Sequence, residues 1–67
     1  MNTLMIILFT GVVDRVVDNF VTAEVEHSED VVIMAVSDFP CLIQEGESFY
    51  LVRYDGQTKI LCGEPPE

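Results

Sequence analysis

An all-β fold, a small five-stranded SH3-like or OB-like barrel, is predicted on three observations. Apolar and polar residues alternate with a period of two along much of the chain, as they do in a strand with one buried face. No window carries an apolar i, i+3, i+4, i+7 stripe of helical length, so no amphipathic helix is expected. The pairs Asp18-Asn19 and Asp55-Gly56, which tolerate the positive φ of tight hairpin turns, separate β-branched runs.

In chain order, LMIILF (4–9) opens a long first strand that TGVVDRVV (10–17) continues to the Asp18-Asn19 turn. Gly11 stands where the apolar run becomes an alternating one and is expected to mark a bulge or sharp bend. In FVTAEVE (20–26), Val21, Ala23 and Val25 point one way and Thr22, Glu24 and Glu26 the other, which puts both acids on a solvent face. His27-Ser28-Glu29-Asp30 reads as a hairpin loop. VVIMAV (31–36) is apolar on both faces and is expected to be a buried, central strand. Pro40 cannot donate to a ladder and Asp38 can cap a turn, so one helical turn is expected near residues 38–44, with Leu42 and Ile43 plugging the barrel before Gly46 reverses the chain. SFYLVRY (48–54) and TKILC (58–62) form the last hairpin around Asp55-Gly56. Residues 1–62 thus make one domain, and 63–67 an extended tail in which Pro65 and Pro66 forbid pairing. Closure of the barrel removes sheet edges, the safest arrangement for strands this apolar. An open meander packed into a dimer is the second arrangement.

A 67-residue chain is one domain at most and buries only about 60% of the surface its unfolded form exposes. Hydrophobic residues at 49% and charged residues at 22% nevertheless place it among folded chains. Three basic residues against twelve acidic ones give a net charge of −9, which disfavours DNA, RNA and anionic membranes and favours partners with basic surfaces. LMIILF is shorter than the ~20 apolar residues of a membrane-spanning helix and lacks the basic flank of a signal peptide. A cytoplasmic protein is therefore expected, with Cys41 and Cys62 as two free thiols, each a small buried hydrophobe. Neither cysteine lies in a CxxC or CxxH pair, so no metal site is expected.

Three segments, GVVDRVVDNFVTAEVE, VVIMAV and DFPCLIQEGESFYLV, resemble the small bacterial β-barrel family known as domain of unknown function 3006. Its members have a V-D-R opening strand, a hairpin, a second strand ending in acids, a loop with Pro and Leu, and an E-G-D turn before a final strand. Val13-Asp14-Arg15 and Glu45-Gly46-Glu47 match, with Glu47 in place of the usual Asp. The likeness covers residues 11–52 and leaves out LMIILF and TKILC. It implies a barrel and no assigned activity, so no functional residue carries over.

An enzyme would need a nucleophile with its base, two carboxylates in a cleft, or a metal. One histidine and scattered hydroxyls without a motif offer none of these, so neither a catalytic residue nor a cofactor is expected. His27 reads as a solvated loop residue. A domain this small also has little interior for the roughly 300 Å³ or more that small-molecule sites occupy. Phe20, Phe49, Tyr50 and Tyr54 could stack bases, but the cations that nucleic acid requires are missing, so Tyr50 and Tyr54 read as one face of a strand, core or partial core first and a protein-contact patch second. Glu24, Glu26, Glu29 and Asp30 match no calcium-binding loop spacing and would hold Ca²⁺ or Mg²⁺ only weakly.

Those four acids are instead candidate partner contacts. Glu24 and Glu26 project about 6.5 Å apart on one strand face, Glu29 and Asp30 follow closely, and such a row can imitate phosphates. LMIILF raises a second demand. Its alternate residues point both ways and a barrel has one inside, so its other face needs a cover from a second subunit, a partner, or the folded-back tail. The expected function is a non-catalytic acidic protein-binding module, most concretely a phage- or mobile-element-type inhibitor, a possible DNA mimic, of a host nucleic-acid or defence enzyme. Glu24, Glu26, Glu29 and Asp30 would steer it, and Tyr50, Tyr54 and the first strand would add contact. The alternative is a structural or accessory subunit that docks or self-associates through residues 4–9.

Overall fold

Asp18 and Asp55 take up φ values of 56° and 52°, with Gly56 at 75°, the left-handed backbone that tight hairpin turns demand. Around these turns the computed structural model, which describes residues 4–66, forms five strands: β1 (Met5–Val17), β2 (Phe20–Val25), β3 (Val31–Ala35), β4 (Ser48–Tyr54) and β5 (Gln57–Cys62). All pairings are antiparallel, in the order β3-β2-β1-β4-β5. The all-β expectation holds. The sheet curls into a half-barrel with β1 at its centre and with β3 and β5 as open edges. With the first strand between the second and the fourth, this is an OB-type order left unclosed between β3 and β5.

β1 serves twice. Residues from Gly11 to Val17 pair with β2, and residues from Met5 to Val12 pair with β4. Its register slips between Ile7 and Phe9 and again between Val13 and Arg15, and such bulges bend and twist a strand. Between the slips, Val13 donates its N–H to the Glu47 carbonyl (2.9 Å), and its own carbonyl accepts from the Gly46 N–H (2.8 Å). The Val-Asp-Arg and Glu-Gly-Glu segments of the sequence therefore touch.

The main core cluster is Val13, Val21, Ala23, Phe39, Ile43 and Phe49, and Tyr50 and Val52 of β4 are buried outside it. Phe49, with no exposed surface, is its centre and meets Phe39 and Phe9 edge-on, with ring centroids 5.2 and 6.3 Å away, the arrangement aromatic quadrupoles favour. Gly11 makes room for this ring: a Cβ there would lie 2.7 Å from Phe49 Cζ and 3.1 Å from the Glu24 carbonyl oxygen.

Several expectations need correction. Gly11 is not itself a bulge; the slips fall at Leu8 and Asp14, and its small size serves close packing. β3 is an edge rather than a central strand, with Val31 56% and Ile33 71% exposed. The helical turn lies at Val36–Asp38 rather than near residues 38–44, because a residue before proline is driven out of the helical region, and Phe39 is extended (φ −90°, ψ 137°). Ile43 plugs the core as expected, whereas Leu42 is 81% exposed. Cys41 and Cys62 are not free thiols. They form a disulfide across a Cα–Cα distance of 6.5 Å, because the chain after Pro40 returns beside the end of β5. The tail begins with Gly63 donating its N–H to the Ser48 carbonyl (2.8 Å), and residues 63–66 share the lining of a cavity of about 340 Å³ with Thr10 and Glu26, so the described part of the tail does not run over residues 4–8.

Gly11→Ala is expected to lower the unfolding free energy by about 1–3 kcal/mol through overpacking against a ring that cannot retreat, read as a fall in the urea midpoint. Reducing the disulfide, which spans 21 positions, releases a loop worth about 3 kcal/mol in the chain-entropy account. A urea midpoint indifferent to reductant would contradict that contribution.

Candidate interaction surfaces

The acidic hairpin is built by the β2–β3 connection. Glu24 lies on β2 opposite Val12 of β1 and Val31 of β3, and its side chain is exposed. Glu26 follows the end of β2 and is held at both ends: its N–H donates to the Thr10 carbonyl (2.8 Å), and its Oε2 accepts from the Thr10 hydroxyl (3.0 Å). His27 turns the chain with φ 62°. Asp30 then donates its N–H to Ser28 Oγ (3.0 Å), while its carbonyl accepts from the Val25 N–H (3.0 Å). These bonds order the loop while Glu24, Glu26, Glu29 and Asp30 all stay exposed, Glu26 with one carboxylate oxygen on the Thr10 hydroxyl. Among the described residues no group of three or more His, Cys, Asp and Glu is arranged to hold a metal ion.

The tyrosines do not join this hairpin. Tyr50 is 8% exposed, a packing position, which agrees with the core reading of this residue and removes it from the contact residues. Tyr54 is 40% exposed at the β4–β5 turn, opposite Met5, with Lys59 Nζ 5.5 Å from its ring centroid. At that separation the ammonium is attracted by the ring face.

Beyond the β2 register, β1, β4 and β5 continue as a three-stranded arm, and the molecule measures 42 × 25 × 17 Å along its principal axes. The arm is apolar and unprotected. Leu4 to Leu8 are between 37% and 73% exposed, and Met5 to Leu8 belong to the part of β1 that, among the described residues, pairs with β4 alone, since β2 joins β1 only from Gly11. Inside the arm, Val52 is 1% exposed between its cross-strand neighbours Ile7 and Lys59.

Two features escaped the sequence reading. The open gap between β3 and β5 leaves a groove of about 630 Å³ lined by Met34, Phe39, Pro40, Leu51, Thr58 and Ile60 among others. The expectation concerned interior space, and this groove lies on the surface. The groove exists because the sheet does not close; it is open rather than an enclosed cavity. A second apolar patch comprises Val17, Phe20 and Ile33, each more than half exposed. Its signal was present in VVIMAV, where apolarity on both faces fits an edge strand with an unpartnered side as well as it fits a buried one.

No family model, curated protein or solved structure matches the chain. No helix among the described residues is long and apolar enough to cross a membrane.

Because the arm side chains are already wet, Ile6→Ser is expected to change stability by less than about 0.5 kcal/mol, whereas Val52→Ala should cost on the order of 2 kcal/mol. Equal losses in chemical denaturation would mean that the arm is covered in solution.

Proposed function

We propose that the protein is a non-catalytic binding module that acts by docking on another protein chain. The observation that carries this reading is the run of five apolar residues, Leu4 to Leu8, each more than a third exposed at and just before the start of β1. Aliphatic area of this kind gains free energy when it is covered, and contiguous exposed patches mark interaction sites. In this reading the arm supplies affinity, and Glu24, Glu26, Glu29 and Asp30 steer the encounter toward a basic surface.

The most concrete version is a phage- or mobile-element-type inhibitor that sets its carboxylates in the basic groove of a nucleic-acid or defence enzyme. The exposure of all four acids favours it. The second reading is an accessory subunit that docks or self-associates through the first strand, favoured by the uncovered arm. Kinship with the domain-of-unknown-function 3006 family, proposed on Val13-Asp14-Arg15 and Glu45-Gly46-Glu47, adds no activity to either. If the protein works in the cytoplasm, reducing surroundings would hold Cys41 and Cys62 as thiols; in an oxidising compartment the bond persists.

The test is affinity capture from host lysate at low and high salt, with the native chain, the quadruple variant Glu24→Gln, Glu26→Gln, Glu29→Gln, Asp30→Asn, and Ile6→Lys. An electrostatic inhibitor loses its partner at high salt, where exposed charges are screened over about 3 Å at 1 M, and in the quadruple variant. An apolar-docked subunit loses it only in Ile6→Lys. Capture that survives every condition would refute both readings.

A further inference from the structure

We infer that the occupant of the β1 arm is a second copy of this chain, paired antiparallel through the free edge of residues 4–8 about a two-fold axis. The inference rests on the protein-docking reading above and names the partner.

A free strand edge presents a row of backbone donors and acceptors that another strand completes, and soluble proteins blunt such edges with lysine, proline or inward charge. Residues 4–9 carry none of these. The register slip between Ile7 and Phe9 twists the edge there, so pairing is confined to its outer part.

Charge decides between the free edges. β3 is also an uncharged edge strand, but Asp30 precedes it, Asp38 follows it, and Glu24 lies across from Val31. Joining two β3 edges would crowd six like charges at one seam. β5 carries Lys59 on its strand. The arm is the least acidic part of the molecule: Arg53 pairs with Ile6, Lys59 lies one strand further out, and Asp55 at the turn is the acid on that hairpin. Antiparallel pairing through the arm directs the two acidic bodies toward opposite ends of the complex. With each chain 42 Å long, most body–body charge pairs lie well beyond the Debye length of about 8 Å at physiological ionic strength.

The interface is small, on the order of a few hundred Å² per protomer against about 800 Å² in a standard one, so the dimer should be a micromolar one rather than obligate. Its salt response is also set: a net charge of −9 on each chain opposes association, so added salt should tighten the dimer, the reverse of an acid–base complex.

Sedimentation velocity of the full chain over roughly 10 μM to 1 mM tests this, with Ile6→Lys and Ile33→Lys compared at each concentration. The expected result is a monomer–dimer equilibrium that tightens with salt, is weakened about tenfold or more by Ile6→Lys, and is indifferent to Ile33→Lys. Amide exchange of Met5 and Ile7 should slow as concentration rises, a readout that does not depend on any variant folding. A monomer throughout overturns the inference. So does a dimer abolished by Ile33→Lys instead, or growth past the dimer. A lysate partner lost in Ile6→Lys, with no self-association of the native chain, would overturn the second copy as occupant and leave the docking reading standing.

Discussion

The contact between Gly11 and the ring of Phe49 is the constraint on which the rest of the molecule depends. β1 and β4 can pair here with a phenyl ring lying over the strand only because position 11 lacks a side chain. Once seated, the ring gives Phe9 and Phe39 an edge to pack on, and Phe39 draws the chain after the Val36–Asp38 turn back across the sheet. Cys41 then reaches Cys62, and Ile43 closes the core. One missing methyl group thus links the first strand, the central aromatic cluster and the disulfide.

The core so formed is small, and its position has a consequence at the far end of β1. A 13-residue strand is longer than one curled sheet of this size can cover. Its residues from Gly11 to Val17 pair with β2 and those from Met5 to Val12 with β4, so the two registers overlap only at Gly11 and Val12. The arm therefore follows from the core's size: the apolar side chains of residues 4–8 extend past the last residues able to bury them. The acids lie elsewhere, around the β2–β3 hairpin and the outer turns, so the molecule separates an apolar, mildly basic arm from an acidic body.

That separation explains why a chain of net charge −9 carries an exposed aliphatic ribbon. Charge on the body keeps the protein in solution, while the ribbon, free of like charge, can approach another surface. The acidic hairpin is ordered by backbone bonds to Thr10 and within the loop, and of its four exposed carboxylates Glu26 also accepts the Thr10 hydroxyl.

By itself, the sequence determined the local features: five strands, two tight turns at Asp18 and Asp55, the exposure of Glu24 and Glu26, and the failure of LMIILF to find an inside on both faces. These depend on side-chain alternation and on the φ preferences of a few residues, which act over two to four positions. Tertiary structure alone decided which strands became edges, and it placed the apolar β3 at one; strand order is a long-range choice that apolar content does not encode. It also decided the fate of the cysteines, 21 positions apart, because a disulfide requires spatial proximity that spacing does not reveal. Tyr50 and Tyr54 share a strand face, yet one is buried and the other half-exposed, since the difference lies in how far the core extends along β4. Periodicity reports which way a side chain points, and only the packed fold supplies what it meets there.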